Sequence, residues 1–101
     1  LKEQRLQAQI LKALRTYGGW WIEISANLYM SSGIPDIIGT YKGVFIALEV
    51  KRPNQKYGAT LTQQLTIKKI NEAGAIARVI ESVEGALSII REIDGKAQNN
   101  D

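Results

Sequence analysis

The sequence predicts a single α/β domain in which a mixed β-sheet is covered by helices. Three observations carry that prediction. The chain has 101 residues, enough for one hydrophobic core and little more. Its apolar residues switch between helical and strand-like spacing in the order α-β-β-β-α-β-α, the pattern of a sheet flanked by helices. Its composition, 45% hydrophobic and 23% charged, is that of a globular chain, and no apolar run is long enough for a transmembrane helix. We take residues 1–93 as the folded domain and 94–101 as a polar, frayed tail. The chain opens on Leu1 rather than methionine, which points to trimming or missing residues upstream, where a targeting segment can be lost.

Each element has a local cause. Residues 2–17 place Leu6, Ile10, Leu11, Leu14 and Tyr17 on one helical stripe, which Gly18-Gly19 stops. Trp20 to Ser25 is aromatic and β-branched, hence a strand. Trp20 and Trp21 must then point to opposite faces, one into the core and the other free for a dimer interface. After a polar loop to Gly33, Ile34–Gly39 is a short apolar run carrying Asp36, with Pro35 tolerable only at a strand start or edge. A turn at 40–43 leads into a strand at 44–51, making a β-hairpin. Gly33 and Gly43 serve the backbone of the turns. Arg52–Ala59 is a basic, turn-rich loop. Thr60 and Gln63 have capping-box spacing, so a helix begins there, with Leu65, Ile67 and Ile70 inward, Lys68-Lys69 exposed and Gly74 as its stop. Residues 75–81 form a third main strand. Ser82 caps a last helix, with Val83, Leu87, Ile90 and Ile93 facing inward.

The residue types narrow the chemistry. Cysteine and histidine are both absent, so disulfides, Ser-His-Asp or Cys-His catalysis and the usual zinc sites are excluded. Acid-base or metal chemistry must come from Asp, Glu, Lys and Tyr. A net charge of +3 permits a polyanionic partner without requiring one.

The hairpin holds the informative residues. Apolar residues run through Val44–Leu48, so the second strand is central, and alternation puts Phe45, Ala47, Glu49 and Lys51 on one face. A two-residue turn at Tyr41-Lys42, or a four-residue turn at 40–43, sets Asp36 opposite Ala47. Asp36 is then the diagonal neighbour of Glu49, roughly 7–8 Å away at the backbone. A three-residue turn would put Asp36 on the other face. Two carboxylates so placed suit Mg²⁺, which takes oxygen ligands and keeps several waters. With Lys51 beside them, this residue set can hydrolyse a phosphodiester without histidine. An ordinary surface ion pair explains Glu49 and Lys51 equally simply. Arg52 and Lys56 are placed for phosphate contacts, or form a solvated loop.

Two segments, Gly33-Ile34-Pro35-Asp36-Ile37-Ile38 and Gly43 through Pro53 with its Glu49-Val50-Lys51, resemble the core of the PD-(D/E)xK nuclease superfamily. Within it they are similar to the virus-type replication-repair nuclease (VRR-NUC) domain. The likeness continues through Ala59–Gln63, Ile70–Ala75, Val79–Glu84 and the first helix, covering roughly residues 3–93. It implies a restriction-endonuclease-like fold and a Mg²⁺-dependent deoxyribonuclease, with Mn²⁺ as substitute. Asp36 and Glu49 would be metal ligands with the Val50 carbonyl, and Lys51 the catalytic lysine. Gln63 would stand at the site, although the capping box alone accounts for a glutamine there. Glu3 would join the metal, although a glutamate in a first helical turn also simply favours the helix dipole. Homodimers acting on branched DNA, such as four-way junctions, in replication, repair or recombination inside phage-infected or bacterial cells, are what the resemblance further implies. The alternative is a DNA-binding module on the same fold that does not cut.

Overall fold

The predicted element order is the observed one. The computed structural model, which describes residues 2–25, 33–53 and 58–99, contains α1 (Lys2–Tyr17), β1 (Trp20–Glu23), β2 (Ile37–Tyr41), β3 (Val44–Val50), α2 (Leu61–Glu72), β4 (Ile76–Ile80) and α3 (Val83–Asn99). The strands form one mixed sheet in the order β1-β2-β3-β4. β1, β2 and β3 run antiparallel as a meander, and β4 returns parallel to β3 through α2. β3 is therefore central, as its unbroken apolar run predicts. Among the described residues, no helix is long and apolar enough to cross a membrane.

The sheet has two unlike faces. One carries Trp21, Ile37, Tyr41, Ile46, Leu48, Val50 and Ile80, packed against Ile10, Leu11 and Leu14 of α1 and Ala86, Ile89, Ile90 and Ile93 of α3. Burying each aliphatic side chain of this set contributes about 1.5–3 kcal/mol, so this layer holds the molecule together. Gly39 belongs to it as well, because the Trp21 indole lies where a side chain at 39 would stand. Among the described residues the opposite face is covered by α2, which buries Ala47, Glu49 and Ala77 but leaves Trp20, Ile22, Phe45 and Val79 exposed.

Four local expectations are corrected. Tyr17 is half exposed rather than inward, because Gly18, at φ 107°, turns the chain away directly after it. α2 has no fully buried residue, and Leu65 is exposed, since the helix turns Gln63, Thr66, Ile67 and Ile70 partway inward instead. α3 continues past Ile93 to Asn99 in place of a tail from Asp94. Asp94 is held from outside: its carboxylate accepts hydrogen bonds from the Tyr41 hydroxyl (2.9 Å) and the Lys42 ammonium (2.7 Å). The fourth correction concerns the hairpin. β2 starts at Ile37, and the turn is the two-residue Lys42-Gly43, with φ of 49° and 81°. A turn with both central residues at positive φ matches the twist of the strands, and it places a glycine where positive φ is least costly. The register therefore slides by one pair from the expectation. Ile38 pairs with Ala47 and Ile37 with Leu48, so Asp36 falls directly opposite Glu49 instead of diagonal to it.

Candidate active site

Sliding by a whole pair preserves the faces of a strand. Asp36 and Glu49 consequently emerge together on the α2 side of the sheet, one from the chain entering β2 and the other from the middle strand. Asp36 is tied to both neighbouring strands. Its carbonyl accepts from the Ile24 amide (2.7 Å), and its Oδ2 accepts from the Val50 amide (2.8 Å). The resemblance names the Val50 carbonyl; the bond seen here is made by the Val50 amide, and to Asp36.

Glu49 is only 2% exposed, and its two oxygens have different fates. Oε2 accepts a hydrogen bond from Gln63 Nε2 (2.9 Å) and lies 3.3 Å from Lys51 Nζ. Oε1 is buried and, among the described residues, has no hydrogen-bond partner. A buried carboxylate oxygen without a partner is costly. The proton affinity of Glu49 registers that cost. Burial, and then the charge of Asp36, push its pKa from 4.5 up to about 7, with Lys51 pulling the other way. Two carboxylates against one ammonium leave the ionised site net negative. A divalent, oxygen-seeking cation would relieve both the orphaned oxygen and the repulsion, so the donor set of Asp36, Glu49 and the Val50 carbonyl fits such an ion.

Gln63 comes from the first turn of α2 and reconciles the two readings of its role. Its backbone amide donates to Thr60 Oγ1 (3.1 Å) and its Oε1 accepts from the Thr60 amide (2.8 Å), which completes a capping box. Its Nε2 meanwhile reaches Glu49. Lys51 is held by its own backbone, whose amide donates to Ile80 of β4 (2.9 Å), and its side chain is 13% exposed.

The remaining expected residues stand differently. Among the described residues, no group of three or more carboxylates forms that could hold a metal ion, so Glu3 in the first turn of α1 does not join Asp36 and Glu49. Arg52 follows Lys51 and is exposed. Lys56 lies outside the described residues. Strand alternation found the Glu49–Lys51 pair. The Asp36–Val50 bond had no signal in the sequence, because it depends on how a side chain bends back onto the next strand.

Comparisons with known proteins agree with this architecture. No family model matches the sequence, and no curated protein does. Solved structures do match. One described as a VRR_NUC domain superposes with a TM-score of 0.71 and 26% identity, over 89% of this chain and 95% of that one. Another, described as a VRR_NUC domain protein, gives a TM-score of 0.65 at 18% identity, over 88% and 84% of the two chains; at that identity it supports the fold alone. The likeness found in three dimensions agrees with the motif read along the sequence: the chain has the fold of these VRR_NUC-domain structures.

Proposed function

We propose that this chain is a Mg²⁺-dependent DNA endonuclease that hydrolyses phosphodiester bonds, with Mn²⁺ able to substitute. The observation that carries the reading is Glu49: a buried carboxylate facing Asp36, with one oxygen held by Gln63 and Lys51 and the other, among the described residues, without a hydrogen-bond partner. Asp36, Glu49 and the Val50 carbonyl would hold the ion. When bound, it supplies positive charge to a phosphate oxygen and acidifies a water. The Lys51 ammonium stands beside Glu49, positioned to orient the attacking water or to offset charge building on the phosphate. Arg52 and Lys56 would contact flanking phosphates.

The substrate we propose is branched DNA, including four-way junctions, cut by a homodimer during replication, repair or recombination in bacterial or phage-infected cells. Each chain has one such site, and a junction needs two symmetric cuts. An apolar row on the site's own face supports pairing there: Trp20 registers with Thr40, which registers with Phe45, and the two aromatic residues are 57% and 44% exposed.

The direct test is cleavage of linear, flap and four-way-junction DNA with Mg²⁺, Mn²⁺ or EDTA. Junction cutting that EDTA abolishes is expected. Asp36→Ala and Glu49→Ala should each lower it by more than roughly 100-fold, beyond the usual loss for an outer-shell partner, while DNA binding persists. Binding without cleavage under any metal would instead establish a recognition module.

A further inference from the structure

The two hydrogen bonds of the Gln63 side-chain amide fix which way round it sits. The Thr60 backbone amide can only donate, so the atom it meets must be Oε1 (2.8 Å). An ionised Glu49 oxygen can only accept, so the atom facing Oε2 must be Nε2 (2.9 Å). Turning the amide over would set two donors against each other at Thr60 and two acceptors at Glu49, losing both bonds at once. We propose that the Thr60 backbone N–H is a positioning group for the site: it locks Gln63 as a donor to Glu49 and thereby reserves Glu49 Oε1 for the cation.

Two consequences follow from that polarity. The Gln63 oxygen is engaged by the helix start, so Gln63 contributes no oxygen to the ion and acts through Glu49 instead. The orientation of the Glu49 carboxylate is set as well, because Gln63 and Lys51 meet the same oxygen. The start of α2 and the ligand geometry are then one device, built from the backbone N–H at 60 and the side chain of Gln63. This rests on the reading of Glu49 as a metal ligand.

Thr60 permits a clean test, because its φ of −67° is the value proline adopts. Thr60→Pro keeps that backbone angle and removes the N–H; Thr60→Ala keeps the N–H and removes the hydroxyl together with the γ-methyl. An ester in place of the 59–60 peptide removes the N–H while keeping the hydroxyl, and serves if the proline variant does not fold. Circular dichroism checks folding in each case. Two readouts are followed: the Gln63 side-chain amide in ¹H–¹⁵N spectra of the metal-free protein, and Mn²⁺ affinity by calorimetry.

The proline and ester variants should move the Gln63 amide signals toward those of a free amide and weaken Mn²⁺ binding by roughly 10–100-fold. Thr60→Ala should leave both within about threefold of the parent, the spread set by the loss of an ordinary cap hydroxyl. Unchanged Gln63 signals in the ester variant, or equal losses in Thr60→Ala and the ester, would overturn the proposal. If the parent protein bound no Mn²⁺ and cut no DNA, the nuclease reading would fail, while the Gln63 signals would still decide whether the lock exists.

Discussion

Glu49 concentrates the energetics of the site into one side chain. Its pKa is raised from 4.5 to about 7 in the folded protein, so between those values the native state binds more protons than the unfolded chain. Stability of the metal-free protein should therefore fall as pH rises from about 4.5 to 7, then level off. Thermal midpoints measured in EDTA across this range check it. Glu49→Gln removes the slope and raises the midpoint at pH 8, because a neutral amide replaces a buried charge. A saturating divalent ion should restore the wild-type midpoint at high pH, by about 2.7 kcal/mol at one hundred times the dissociation constant. A wild-type midpoint that climbs from pH 5 to 7 without metal would contradict the account. Much of this residue-level picture was legible. Alternation put Glu49 and Lys51 on one face, and an even turn added Asp36. The unlike fates of the two Glu49 oxygens were not, since they depend on α2 lying across β3, a contact between residues 14 apart in sequence.

At the scale of elements, the hairpin turn decides where the carboxylates meet. The sequence pattern left the turn open: an even one keeps Asp36 on the face of Glu49, and a three-residue one does not. Gly43 closes that gap. Nothing lies within 4 Å of a side chain placed at 43, so Gly43→Ala tests the backbone conformation alone. It should cost about 1–2 kcal/mol, the penalty for an L-residue in the left-handed region, read as a lower urea midpoint with an unchanged m-value. The turn is also tied to α3, where Asp94 accepts from both Tyr41 and Lys42 and has its pKa lowered by them, Lys42 first. This tie accounts for the misplaced helix end. A polar stretch reads as a tail until a partner distant in sequence is known, and residues 94–99 have no proline to end a helix.

The molecule as a whole is lopsided. Among the described residues, α1 and α3 seal one face of the sheet, whereas α2 covers the other over β3 and β4, and Trp20 and Ile22 of β1 are exposed there. An exposed tryptophan beside an exposed phenylalanine is what a partner surface offers. If the proposed homodimer forms there, sedimentation of the parent should report a dimer, and Trp20→Asp should yield a folded monomer whose two cuts across a junction become uncoupled. A parent that sediments as a monomer at micromolar concentration would remove the dimer from the proposal while leaving the chemistry intact. The fold class was readable because each element announces itself through local spacing. Which sheet face stays uncovered was not, because Trp20 and Trp21 are equivalent until the sheet selects one.

The bonds of Asp36 to Ile24 and Val50 also bear on how an inactive form of this protein should be made. Removing the side chain at this position cuts a link between β2 and β3 as well as a candidate metal ligand. Asparagine separates the two. Its carbonyl can still accept from Val50, and its amide nitrogen would face Glu49 as a donor where a second negative charge now stands. Asp36→Asn should accordingly melt higher than Asp36→Ala, and higher than the parent in EDTA at pH 8, while failing to cut. It is the form in which an intact DNA complex could be trapped for structure determination, with strand geometry preserved and turnover absent.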